Sequence, residues 1–192
     1  HDAMGSAIRV DSRSGEVLRV LPRLNEDVNE EWLGDKSRFA MDGLKRQRLD
    51  RPYVRKEGKL QAASWPEALQ TVAAKLKATD AAKIGAIVGD MADCESVFAL
   101  KGVLDGLGVT SMDCRQDGAA IDPSCRAGYI LNTGLAGVED ADALLLIGTN
   151  PRVEAPVWNA RIRKSWLENG LKVGVIGENA DLTYPATYLG AG

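Results

Sequence analysis

Apolar and polar positions alternate through "AIRVD-SRSG-EVLRVLP", two short alternating segments about a Ser-Gly pair, which predicts a β-hairpin. "DKSRFAMDGLKRQRL" then predicts a helix that starts at Asp35 and stops before Pro52. From Ser64 the period changes. "SWPEALQTVAAKLKA" has Ser64 as N-cap, Pro66 in the first turn and Glu67 three residues on, a capping box. Leu69, Val72, Ala73 and Leu76 form one apolar stripe along it. "KIGAIVG" predicts a strand covered on both faces, and Asp93 caps a helix over "CESVFALKGVLDGLG". "VTSMDC" is a weaker strand, "ADALLLIGTN" the strongest one, and "KVGVIG" another buried one. "APVWNARIRKSWLENG" is a helix with Pro156 near its start and Gly170 just past its end. Its Trp158, Ile162 and Trp166 fall on one face, with Arg161, Arg163 and Lys164 turned outward. The final "YPATYLGAG" closes nothing.

Strands that alternate with helices at this spacing imply a parallel sheet with right-handed crossovers. The fold class is therefore α/β: a small β-rich N-terminal subdomain over residues 1–60, then an incomplete Rossmann-like parallel sheet flanked by helices over residues 61–192.

Composition narrows the class. The chain has 45% hydrophobic and 27% charged residues, with 24 Lys+Arg against 27 Asp+Glu, a globular and mildly acidic balance. The longest apolar run, "ALLLI", is far below the roughly 20 residues of a membrane helix. No secretory signal opens the chain. "NEDVNEEWLGD" carries five acids and no base, whereas Lys36 to Lys59 holds nine basic residues and three acidic ones. A run of this kind suits either a nucleic-acid patch or a solvated face paired with the acidic segment before it, and the second reading is preferred.

Candidate chemistry is sparse. Cys94, Cys114 and Cys125 have no metal-ligand spacing and read as reduced thiols. The only histidine, His1, offers no general base for a nucleophile. No P-loop and no full G-x-G-x-x-G occurs. In "LLLIGTNPRVEAP" a buried strand ends at Gly148 and the chain turns through Asn150-Pro151 into a helix that starts by Pro156. That is where open α/β sheets place ligands, and free N–H groups at a helix start favour an anion. An ordinary βα turn has the same chemistry, so both readings stay open.

Three stretches, "GEVLRVLPRLNEDVNEEWLGDKSRFAMDGLKRQRL", "LNTGLAGVEDADALLLIGTNPRVEAPVWNARIRKSWL" and "KVGVIGENADLTY", together resemble the largest iron–sulfur subunit of respiratory complex I (NADH:quinone oxidoreductase). The likeness is to its alphaproteobacterial and mitochondrial forms. It falls in the part related to the molybdopterin oxidoreductases and covers nearly the whole chain. The resemblance implies an internal fragment of that subunit, with its 4Fe-4S and 2Fe-2S clusters ligated upstream of His1. It implies a structural and docking role in electron transfer from NADH to quinone, as part of a proton-translocating enzyme. The partners it implies are other peripheral-arm subunits, with no nucleic acid and no direct membrane insertion. The location it implies is the cytoplasmic face of the bacterial inner membrane or the matrix side of the mitochondrial one.

The related cluster-bearing enzymes carry C-x2-C-x3-C, then about 27 residues, then C-x-K-G-R-F, with thiolates as ligands. "HDAMGSAI", which alone reads as a tag remnant, matches the H-C-x-x-G-C-N-I version of that turn. Asp2 and Ser6 then stand where two cysteines would be, and Gly34 in "LGDKSRF" takes the fourth position. The resemblance thus implies no metal and no redox centre in this chain, with Asp2, Ser6 and Gly34 as degenerate ligand positions. Lys36, between cluster and pterin in the redox-active relatives, remains in a structural role. Gly148, Thr149, Asn150 and Pro151 match the loop that contacts the pterin dinucleotide there and are expected as retained architecture. No catalytic and no cofactor-binding residue is expected. Two alternatives stand beside this reading: a molybdopterin-dependent oxidoreductase fragment that binds a pterin dinucleotide, and a plain nucleotide-binding module built on Gly148 to Pro151.

Overall fold

The computed structural model describes residues 1–89, 91–115 and 118–191. These group into two compact units, one formed by His1–Arg48 with Ser124–Gly192 and the other by Leu49–Pro123.

The first unit opens with the expected hairpin, β1 (Ile8–Arg13) antiparallel to β2 (Glu16–Pro22). Ser14 and Gly15 at its turn both have positive φ, 52° and 79°, the primed-turn geometry that matches the twist of paired strands. The acidic loop after β2 folds around the fully buried Asn29. Its Oδ1 accepts the Ala7 N–H at 2.8 Å, and its Nδ2 donates to the Trp32 carbonyl at 3.0 Å and the Arg23 carbonyl at 3.2 Å. One side chain thus replaces the backbone ladder this irregular segment lacks. The helix expected from Asp35 is much shorter: α1 (Asp35–Phe39) gives way to a 3-10 turn at Ala40–Lys45. Gly43 weakens the helical run there, and Gln47 has a φ of 52°, outside the helical region.

The α/β layer of this unit holds β7 (Ala143–Ile147), α4 (Pro151–Glu154), α5 (Pro156–Asn169), β8 (Lys172–Ile176) and β9 (Thr187–Gly190). All three strands are parallel in the order β7-β8-β9. The C-terminal stretch expected to close nothing therefore adds an edge strand. α5 ends as expected, at Gly170 in the left-handed conformation with φ 72°. Ile162 of α5 is fully buried and packs with Leu146, Val173 and Val175 of the sheet and with Val138, Leu171, Leu182 and Tyr184. Trp158 and Trp166 flank this core, in keeping with their spacing.

The charges of α5 do not all turn outward. Arg161 is only 5% exposed. Its Nε is hydrogen-bonded to Glu139, and its Nη2 and Nη1 donate to the carbonyls of Glu26 at 2.7 Å and Val28 at 3.2 Å. Lys164 lies beside it, 2.5 Å from Glu30 and 3.0 Å from Glu139. Desolvation pushes the Glu139 carboxyl up, but hydrogen bonds from Lys164 and Arg161 outweigh it and hold the group below the usual range. The acidic loop thus sends Glu30 to α5. Its expected pairing with the basic run that follows is limited, among the described residues, to Asp35 with Arg38.

The second unit pairs β3 (Tyr53–Lys56) with β4 (Lys59–Ala62) in a hairpin that the apolar pattern does not announce, turning through Glu57 and Gly58 at positive φ. α2 (Trp65–Ala78) is capped as expected, with Ser64 Oγ accepting the Glu67 N–H at 3.3 Å. The Lys56 ammonium, and to a lesser extent the Ser64 backbone N–H, hold the Glu67 carboxyl below its ordinary value. β5 (Gly85–Ile87) runs parallel to β6 (Ser111–Asp113), and α3 (Cys94–Gly106) starts where Asp93 Oδ1 accepts the Ser96 N–H at 2.7 Å. The expected cover on both faces of β5 is absent among the described residues: Ile87 is 77% exposed, and the α2 stripe leaves Leu69 and Val72 more than half exposed.

Two outcomes follow for stability. Arg161→Ala leaves Glu139 with Lys164 as its remaining cation and takes the donors from two carbonyls, and should cost about 3 kcal/mol in a urea titration, by analogy with other broken buried pairs. An unchanged midpoint would show the pair to be dispensable. Tyr184, buried with its hydroxyl 2.8 Å from Asn159 Oδ1, has its phenol pushed up to about 12 by burial. A raised folded-state pKa means stability is intact below the unfolded value of about 10 and is lost as pH rises toward 12. Tyr184→Phe should remove that part of the decline between pH 10 and 12, measured as the difference between the two proteins.

Candidate functional site

Asp2, Ser6 and Gly34, expected as degenerate ligand positions and separated along the chain, meet in space. Gly5, with a φ of 68°, turns the chain between Asp2 and Ser6. Asp2 Oδ1 accepts the Met4 N–H at 3.1 Å, and Ser6 Oγ donates to Asp2 Oδ2 at 3.5 Å. Gly34 is buried at the start of α1, and a Cβ on it would lie 3.7 Å from Asp2 Oδ2. That same Cβ would lie 3.0 Å from Cγ of Pro156, the first residue of α5. A cavity of about 290 Å³ opens beside Asp2 and Ser6, lined chiefly by Ile8, Val10, Val20, Leu33, Met41 and Leu44.

An iron–sulfur cluster needs thiolates at fixed geometry. Here the converging groups are a carboxylate, a hydroxyl and a hydrogen atom, and they do not fit a cluster. Cys94, Cys114 and Cys125 are free and exposed, and no group of three or more His, Cys, Asp or Glu side chains able to hold a metal ion forms among the described residues. Lys36 sits exposed on α1.

At the end of β7, Gly148 takes a φ of 61° and donates its N–H to the Ile176 carbonyl at 2.8 Å. A Cβ on Gly177 would come within 3.3 Å of the Gly148 backbone, so two glycines allow the chains to approach here. Asn150 caps α4, its Oδ1 accepting the Arg152 N–H at 3.2 Å, and Pro151 is buried in the first turn. The helix expected to begin by Pro156 is therefore preceded by this four-residue one, too short to offer the row of free N–H groups the anion argument requires. Glu154 at its end folds back over the loop. Its Oε2 accepts the Thr149 hydroxyl at 2.8 Å and its Oε1 the Asn150 N–H at 2.7 Å. Arg152 ties the loop to Asp181, donating to its carboxylate at 2.7 Å and its carbonyl at 2.9 Å. The Thr183 N–H first, and then Arg152, hold the Asp181 carboxyl below its usual range.

Further contacts link these two places. The Ala3 N–H donates to the Glu154 carbonyl at 2.9 Å, and the Trp158 N–H points at the Met4 sulfur at 3.0 Å. Met4, Ala155 and Val157 form a small buried cluster against Val28, Leu135 and Trp158. No pattern in the sequence singles out Met4, Glu154 or Pro156 as site residues. Glu154 alone leaves a trace there, four residues after the capping Asn150.

Comparison with known proteins divides the chain between two matches. Residues 1–42 match a family model described as NADH-ubiquinone oxidoreductase NDSU1/NuoG-like, 4Fe-4S domain, and residues 48–192 match one described as molybdopterin oxidoreductase. The chain is 52% identical over 191 residues to the G subunit of the NADH-quinone oxidoreductase of Rickettsia conorii, covering 100% of this chain and 28% of that protein. It is 51% identical over the same shares to the corresponding G subunit of Rickettsia bellii. It is 48% identical over 190 residues to the mitochondrial NADH dehydrogenase (ubiquinone) iron-sulfur protein 1 of Solanum tuberosum, covering 98% of this chain and 26% of that protein. The chain thus spans about a quarter of the length of these relatives. Matching the molybdopterin oxidoreductase model over residues 48–192, and resembling the G subunit of NADH-quinone oxidoreductases along its whole length, the chain belongs to the molybdopterin oxidoreductase family.

Proposed function

We propose that this chain is a segment of the iron–sulfur subunit of a proton-translocating NADH-quinone oxidoreductase, and that it serves there as a packing and docking domain without a redox centre of its own. The observation that carries the reading is the convergence of Asp2, Ser6 and Gly34 at one point with no thiolate among them. Electrons passing from NADH toward quinone would then use 4Fe-4S and 2Fe-2S clusters ligated upstream of His1. Residues 1–60 would act as the degenerate cluster subdomain and residues 61–192 as the partial α/β domain.

A docking role is supported by the apolar surface of the second unit. Leu69 and Val72, one turn apart on α2, and Phe98 and Val103 on α3 are all more than half exposed, apolar side chains that a neighbouring subunit could cover. Neighbouring subunits of the enzyme's peripheral arm are the partners this reading assigns. No helix among the described residues is long and apolar enough to cross a membrane. The location this reading assigns is the cytoplasmic or matrix side of the inner membrane.

A second reading, a fragment of a molybdopterin-dependent enzyme, is favoured by the family match over residues 48–192. It needs Gly148, Thr149, Asn150 and Pro151 to bind a pterin dinucleotide. A carboxylate already hydrogen-bonded to Thr149 and Asn150 opposes a diphosphate there, so the first reading is preferred. The test is anaerobic reconstitution of residues 1–192 with iron and sulfide. The expected result is no bound iron above buffer background and no EPR signal after reduction. Stoichiometric iron with a cluster spectrum would overturn the first reading, and a fluorescent pterin released by acid oxidation of the isolated protein would favour the second.

A further inference from the structure

Glu154, Ala155 and Pro156 are consecutive, and they stand between the two places that resemble cofactor sites. We propose that this junction is a built-in plug: Pro156 fills the space of the fourth cluster ligand, and Glu154 supplies the anion of the Gly148–Pro151 loop. The chain thereby occupies both sites with its own side chains. This deepens the proposed function and rests on the reading that the N-terminal subdomain holds no cluster.

The case at Gly34 is steric. Its backbone is ordinary, with φ −65° and ψ 139°, so a side chain there meets no conformational penalty. What it meets is the Pro156 ring, with Cγ 3.0 Å and Cδ 4.0 Å from the Cβ position. The ring cannot swing away as a long side chain would, because it is fused to the backbone of the first turn of α5. α5 is itself held by the buried Ile162 and by the paired Arg161. A cysteine at this position would add a sulfur beyond that contact. A side chain at position 34 therefore fits only if the ring gives way by a few tenths of an ångström, and it competes with Pro156 for the space.

The case at the loop is electrostatic. The Glu154 carboxylate takes the Thr149 hydroxyl and the Asn150 N–H, the donors an incoming phosphate would use. A second anion would have to displace it and bear its repulsion at close range. The Glu154 carbonyl accepts the Ala3 N–H beside Asp2, and Met4 faces the Trp158 N–H in the same region. The junction is therefore fastened to the degenerate cluster turn on one side and to the degenerate loop on the other.

The test is a double-mutant cycle on the purified protein with Gly34→Ala and Pro156→Ala, together with Glu154→Ala and Glu154→Gln. Gly34→Ala should lower Tm by about 3 °C or more. The same substitution in the Pro156→Ala background should cost less than half as much, since the obstructing ring is gone. If Gly34→Ala alone fails to fold, rescue by Pro156→Ala is the same result. Glu154→Ala should speed amide exchange across residues 148–154 about tenfold, and Glu154→Gln should restore most of the protection because its amide can still accept the Asn150 N–H. Additive Tm changes in the cycle, or unchanged exchange in Glu154→Ala, would overturn the plug. Neither result bears on iron uptake by the unsubstituted protein, which alone decides whether the cluster-free reading itself fails.

Discussion

The arrangement of the first unit turns on one buried cation. Arg161 projects from α5 into a place where only 5% of it reaches solvent, and a guanidinium there is tolerable only if its donors are taken. They are taken by Glu139, ahead of β7, and by the carbonyls of Glu26 and Val28 in the acidic loop after β2. Sequence positions far apart are thereby fixed to one helix by a group that cannot be left unpaired. Lys164, between Glu30 and Glu139, repeats the constraint one turn on. With the loop so held, Asn29 can order its backbone, and Gly34 arrives against the first residue of α5.

That constraint explains what is legible in the sequence. Strands β7 and β8 and helix α5 can be read because an apolar run, a four-residue period and a glycine stop are local signals that the core reinforces. The caps at Ser64 and Asp93 are legible for the same reason. Arg161 is not, because it lies three residues after Trp158 and one before Ile162, at the edge of the apolar stripe. Whether such a position is inside or outside depends on what covers the edge, and the cover is the acidic loop. The hairpin β3–β4 escapes a sequence reading because Glu57 is an unusual residue at positive φ and carries no turn signal. The short β9 has little pattern of its own and exists through its ladder to β8.

The candidate site divides in the same way. The resemblance to the cluster-bearing enzymes brings Asp2, Ser6 and Gly34 into one hypothesis, because they stand at the spacing of that family's ligand pattern. The loop at Gly148–Pro151 is equally legible, at the end of a strand that its apolar run defines. The identity of the groups that fill these places is not. Pro156 lies far along the chain from Gly34, and the nearness of Glu154 to Thr149 depends on a short helix folding back on itself.

A cluster ties a small domain together by holding ligands from separate segments. A chain that lacks the thiolates must supply an equivalent tie or lose the order of those segments. Here the tie is made by ordinary means. Asp2 accepts a backbone N–H inside the turn, Ala3 donates to Glu154, Met4 packs beneath α5, and the proline ring takes the volume beside Gly34. Each of these contacts is modest alone, but all converge on the N-terminal turn of a helix already anchored by Ile162 and Arg161. On the proposed reading, packing takes the place of metal ligation here, and the flanking pattern can remain intact around Asp2, Ser6 and Gly34.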